Sequence, residues 1–167
     1  VALTLPISSA AICAALGLTG LAGGAAVAGC CAQMVGFAVL SFKENRWGGL
    51  LSQGLGTSML QMPNIIKKPI IWLPPILTSA VLGPISTAVL GMTNNAIGSG
   101  MGSAGLVGQF MAYDSMVSAG VSPVVTILEI ALMHFVLPAV VTLGIAEAMR
   151  KLGWIKSGDM KLVSANA

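Results

Sequence analysis

Five side chains carry the chemistry this chain can offer: Asn94, Asn95, Gln109, Glu129 and His134. Glu129 and His134 stand within the apolar run 123–148. An ionisable group at membrane depth costs roughly a few kcal/mol, so it ordinarily faces an interior and works there. The plainer alternative is that both are uncharged, hydrogen-bonded and purely structural. Five residues apart on a helix they point about 140° from each other. They share a face only if Pro138 distorts that helix. The three amides donate and accept together, which suits sugar hydroxyls or another polyhydroxylated ligand. They suit exposed backbone groups equally well. No catalytic residue, metal ligand set or cofactor motif is expected. Gly100, Gly102 and Gly105 fit GxGxxG in form, but no strand, helix and downstream acid frame them as a dinucleotide site requires. Phosphate-binding, metalloprotease and serine-hydrolase signatures do not occur.

The amides bracket a glycine-rich stretch, Thr93 to Phe110, with Gly98, Gly100, Gly102, Gly105 and Gly108 between them. Each glycine disfavours a helix by roughly 1 kcal/mol against alanine, and each allows close backbone approach or positive φ. Unhelical backbone in an apolar chain must be buried in protein or line a watery cavity. A re-entrant or broken segment beside a polar site is therefore expected at 93–110.

The rest of the chain reads as the membrane frame that holds this stretch. Only 8% of residues are charged, mean hydropathy is +0.92, and residues 1–42 and 69–113 carry no formal charge. A soluble domain carries about 25%. The fold class expected is an all-α integral membrane protein, a helical bundle with broken helices and a glycine-rich re-entrant segment. One membrane domain, 1–167, divides into a partial helix at 1–18 and a span at 19–42. An interfacial or re-entrant piece follows at 43–68 and a broken span at 69–92. The glycine-rich segment and a loop occupy 93–122, the loop at Tyr113, Asp114 and Ser115. A last span at 123–148 and an amphipathic tail at 149–167 complete the chain. Breaks are expected at Pro6 with Ser8–Ser9, at Pro74–Pro75 and at Gly83–Pro84, an end at Pro63 and a kink at Pro138. The abrupt apolar beginning, without Met, suggests part of a longer chain, its second half.

Gly20, Gly24, Ala28, Ala32 and Gly36 recur every four residues, a stripe that lets a neighbouring helix pack closely within a bundle or a dimer. Cys13, Cys30 and Cys31 have no zinc or CxxC spacing and read as small buried thiols. The net charge of +3 comes from loops, which excludes a nucleic-acid partner. All eight Lys and Arg lie in 43–68 or 150–161. The positive-inside rule puts both regions in the cytoplasm, with Asp114 toward the outside or in a cavity.

KKPIIWLPPILTSAVLGPIST, followed by NNAIGSGMGSAGLVGQ, resembles the second half of the membrane (IIC) components of the bacterial sugar phosphotransferase system. The nearest branch is the one named for regulation of perfringolysin O, and the similarity runs from about Gly48 to the tail. The resemblance implies a homodimeric, multi-pass permease in the bacterial inner membrane, surrounded by lipid. Re-entrant hairpins and a membrane-embedded acid or histidine would hold sugar. On that implication Asn94, Asn95 and Glu129 line the sugar, with His134 nearby; Gln109 is expected at the substrate on its amide chemistry. A phosphorylated cytoplasmic IIB protein would then phosphorylate it. No IIB-type domain is visible in these residues, so the donor is a separate protein and this chain is at most the membrane subunit of the transferase. The alternatives are an ion-coupled secondary transporter without phosphorylation, with Glu129 as its ion site, and a non-transporting membrane sensor or regulator.

Overall fold

The computed structural model describes residues 9–162 and contains no strand among them. Pro6 and Ser8, where a break is expected, lie outside those residues, as do positions 163–167 of the tail. Nine α-helices follow in order. They are α1 (Ser9–Ala15), α2 (Gly20–Leu40), α3 (Phe42–Leu51), α4 (Met62–Lys67), α5 (Leu73–Pro84), α6 (Ala96–Ser99), α7 (Val107–Ser118), α8 (Pro123–Ala131) and α9 (Leu137–Lys151). Three stretches are long and apolar enough to cross a membrane: Gly20–Leu40, Pro69–Val89 and Pro123–Lys151. The fold class is all-α, and the chain is a membrane protein.

The central element is α2, buried along most of its length. Its small-residue stripe is covered from within the chain. A Cβ added at Gly24 would strike the Met92 carbonyl, and one at Gly36 would come within 3.0 Å of Thr142 Oγ1. Ala28 and Ala32 are wholly buried. From Gly24 to Gly36 the stripe therefore serves the bundle.

Pro63, Pro74 and Pro75 behave differently from expectation. Pro63 opens α4 rather than ending a helix, and Pro74–Pro75 lie in the first turn of α5. Proline lacks only an N–H that the first turn leaves unpaired, so these positions accept it. Pro84 closes α5, yet the chain continues as a π-helical turn, Ile85–Val89, so the span is irregular rather than cut. Pro138 begins α9 directly after a second π turn, Leu132–Val136. A proline ring clashes with the carbonyl four residues back, here that of His134, and widening that turn relieves the clash.

Tyr113, Asp114 and Ser115 are helical, within α7, and not a loop. Nothing in 107–118 breaks a helix. The turn falls later, at Gly120 with φ 91, before Pro123.

The glycine-rich stretch lies along the first half of α2. Gly20 and Asn94 exchange backbone hydrogen bonds, at 2.9 and 3.1 Å. A Cβ at Gly100 would collide with the Ser9 backbone, and one at Gly108 with the Gly102 carbonyl. Close backbone approach is what these glycines supply. Ser103 Oγ donates to the Gly54 carbonyl at the far end of the stretch.

The two basic regions meet at one end of the bundle. Phe37, Leu40, Ile65, Ile71, Met149 and Met160 form a core there. The tail folds back into it, with Ile155 and Met160 buried, rather than lying along a surface.

Candidate functional site

The site is assembled by three elements. Glycine-lined packing brings α7 against α2, and the turn at Gly120 returns the chain as α8 beside α7. Gln109, in the first turn of α7, is buried. His134 sits in the π turn and is 0% exposed. Gln109 Nε2 lies 3.3 Å from His134 Nδ1 and donates at 3.3 Å to Sγ of Cys31, in α2. Ala32, Met92, Ala112, Met116, Ile130 and Met133 form the apolar core around them.

Glu129 lies on the border of α8. Thr126, Ile130 and Met133 beside it are buried, whereas Val125, Leu128 and Leu132 are exposed. Glu129 Oε2 is buried and has no hydrogen-bond partner. The structure shows no hydrogen bond between Glu129 and His134, although the π turn that carries His134 follows α8 directly.

Asn94 and Asn95 have structural partners. Asn94 Nδ2 donates to the Gly108 carbonyl at 3.0 Å, and its Oδ1 accepts from Asn95 N at 2.8 Å. Asn95 caps α6 by accepting from Gly98 N at 2.9 Å, and its Nδ2 reaches Met111 Sδ at 3.0 Å. Together they pin the glycine-rich stretch in shape. Thr93 Oγ1 and Ser115 Oγ, 2.9 Å apart, tie it to α7.

The five expected residues therefore divide in two. Among the described residues, three buried side-chain polar atoms have no partner: Gln109 Oε1, Glu129 Oε2 and His134 Nε2. Such atoms are rare in folded proteins, because an unpaired buried polar group costs about 1–3 kcal/mol. All three belong to α7, α8 and the π turn after it. They are a carbonyl acceptor, a carboxyl and an imidazole, groups able to hydrogen-bond hydroxyls. Cys31 is the participant that sequence reasoning missed as a partner. A cysteine in an apolar helix resembles filler, and only the fold puts Gln109 against it.

The basic end is built differently, because its polar side chains are joined. Gln53 Nε2 donates to Ser41 Oγ at 2.8 Å, and Gln61 Nε2 donates to Gln53 Oε1 at 2.9 Å. Asn64 Nδ2 donates to Gln61 Oε1 at 2.8 Å. Gln61 and Asn45 both donate to the Met160 carbonyl, and Glu44 accepts from the backbone of Gly158 and Met160. Lys68 pairs with Asp159, and Glu147 pairs with both Lys43 and Arg150.

A family model described as "Phosphotransferase system, EIIC" matches residues 1–162. No curated protein and no solved structure matches the chain.

Proposed function

The chain belongs to the phosphotransferase-system EIIC family, and from that premise we propose that Gln109, Glu129 and His134 bind a polyhydroxylated sugar near the middle of the membrane. Membership makes the protein a sugar-transporting permease subunit, with a sugar substrate and a cytoplasmic IIB partner. The finer placement, in the branch named for perfringolysin O regulation, rests on the 67–87 and 94–109 patterns alone.

The observation that carries the reading is the pair of unpaired polar atoms on Gln109 and His134, whose side chains meet at 3.3 Å, with a third on Glu129 of the adjoining α8. A sugar hydroxyl satisfies an acceptor and a donor at once, so it relieves the cost of leaving them unpaired. Asn94 and Asn95 contribute by holding the glycine-rich stretch that positions α7. In this reading that stretch is the re-entrant part of the domain. The end bearing residues 43–68 and 150–161 faces the cytoplasm of the bacterial inner membrane, where the phosphoryl donor docks. The protein works as a homodimer whose contact lies away from the stripe of α2. Rocking of one part of the bundle against another would carry the sugar across, with the π turns as the yielding points.

Purified protein is expected to bind at least one sugar from a broad panel, seen as a thermal shift. Gln109→Ala and Glu129→Gln should each weaken that binding tenfold or more, roughly 1.4 kcal/mol. A folded protein that binds no sugar in the panel would overturn the reading. Uptake into liposomes that follows a proton gradient, with no phosphoryl donor, would replace it with ion-coupled transport through Glu129.

A further inference from the structure

We infer that Cys31 is a positioning residue: its sulfur and His134 Nδ1 together hold the Gln109 amide in one orientation, so that Gln109 Oε1 and His134 Nε2–H face the sugar as an acceptor and a donor. This rests on the reading above that Gln109 and His134 meet the sugar.

A carboxamide nitrogen carries two protons, and in a buried site both need acceptors. Two acceptors lie at 3.3 Å from Gln109 Nε2, the Cys31 sulfur and His134 Nδ1. Cys31 and His134 are 0% exposed and Gln109 7% exposed, so water does not compete for these contacts. A neutral imidazole has one N–H and one lone pair. With the lone pair on Nδ1 engaged by the amide, the proton resides on Nε2. The two atoms this arrangement leaves over, Gln109 Oε1 and His134 Nε2, are two of the three that lack a partner.

Turning the amide over reverses the pattern. Oε1 would then face the sulfur and Nδ1, the proton would have to move to Nδ1, and the site would offer an N–H from Gln109 and a lone pair from His134. The two contacts of Nε2, to the sulfur on the α2 side and to the ring on the π turn, thus set which sugar hydroxyl geometry is read. The class of ligand also follows. Both presented groups are uncharged, and no Lys or Arg occurs between residues 69 and 149. Nothing in that stretch would neutralise a phosphate, so the pair is suited to a neutral hydroxyl and not to the phosphorylated product.

His134 is the single histidine of the chain. Isotopic labelling of histidine therefore lets nitrogen NMR of the full chain in lipid read this ring alone, without any sugar. The wild-type spectrum should show the proton on Nε2. Cys31→Ser keeps an acceptor and should preserve that tautomer. Cys31→Ala frees the amide to turn and should move a measurable fraction of the proton to Nδ1. If Cys31→Ala folds poorly, Cys31→Val removes the acceptor with less loss of volume and should give the same shift. A wild-type proton on Nδ1, or an alanine or valine spectrum identical to wild type, would overturn the assignment. Because no sugar is present, this outcome is separate from that of the sugar-binding measurements. Loss of the binding reading would leave the tautomer result standing, and the reverse.

Discussion

The two polar regions of this molecule are built on opposite rules. At the basic end, Gln53, Gln61 and Asn64 are buried and joined into a chain of hydrogen bonds that ends on the backbone of the tail. In the interior, Gln109 and His134 are also buried and Glu129 stands half-buried at the border of α8, yet each retains an unpaired atom. Buried polar groups that are fully paired rigidify a fold. Those left unpaired weaken it and persist where something else completes them. The contrast separates the part of the protein that fastens from the part proposed to bind sugar.

Substitutions sharpen or break this contrast. The largest effect is expected where both regions depend on α2. Gly24→Val would drive a branched side chain into the Met92 carbonyl, a backbone atom that cannot step aside. Loss of more than about 3 kcal/mol, with little folded protein by size-exclusion in detergent, is the expected result. Normal yield and melting temperature would show that the glycine-rich stretch is not seated on α2 as described.

Next comes Gln61→Ala. It leaves Gln53 Oε1 without a donor and removes one of two donors to the Met160 carbonyl. A loss of about 2 kcal/mol is expected, read as a lower melting temperature. Sugar affinity of the folded fraction should not change. Glu129→Gln should behave in the opposite way, with weaker sugar binding and a melting temperature close to wild type. If the two substitutions had the same profile, the division between fastening and binding would fail.

The smallest effect is on the tail and depends on pH. Burial alone would raise the Asp159 carboxyl, but hydrogen bonds from Lys68 and the Lys156 backbone outweigh it and hold it below its ordinary value of 3.8. A carboxyl depressed on folding stabilises fully above its unfolded value and loses that contribution as pH falls through the lower folded value. The tail should therefore exchange its amides faster, or become open to protease, only as pH drops below about 4. Asp159→Asn should show the looser tail already at neutral pH, and no further acid step from this group.

Much of the architecture was legible from composition and spacing. The charge-free runs pointed to membrane helices, and the structure has helices long and apolar enough to cross a membrane at Gly20–Leu40, Pro69–Val89 and Pro123–Lys151. The glycines of 93–110 signalled close approach of backbones. Pro63, Pro74 and Pro75 misled, because a proline's effect depends on whether it opens a turn or interrupts one, and that is decided by where the preceding helix ends. Pro63 and Pro74–Pro75 open helices, whereas Pro138 does distort its span, through the turn widened at His134. The amides were ambiguous for another reason. Asn94, Asn95 and Gln109 look alike in a sequence, and their use depends on which backbone groups the fold leaves near them.

Residue types and their order determined that this chain lives in lipid, that its unhelical stretch must be sheltered, and that few groups are available for chemistry. Those conclusions need only the cost of placing charge and unpaired backbone in hydrocarbon, which is local to each segment. Tertiary structure decided which buried amides are satisfied and which are not, that Cys31 meets Gln109, and that the tail closes the basic end. Each of these joins residues dozens of positions apart, and hydrogen-bond satisfaction belongs to the pair rather than to either residue.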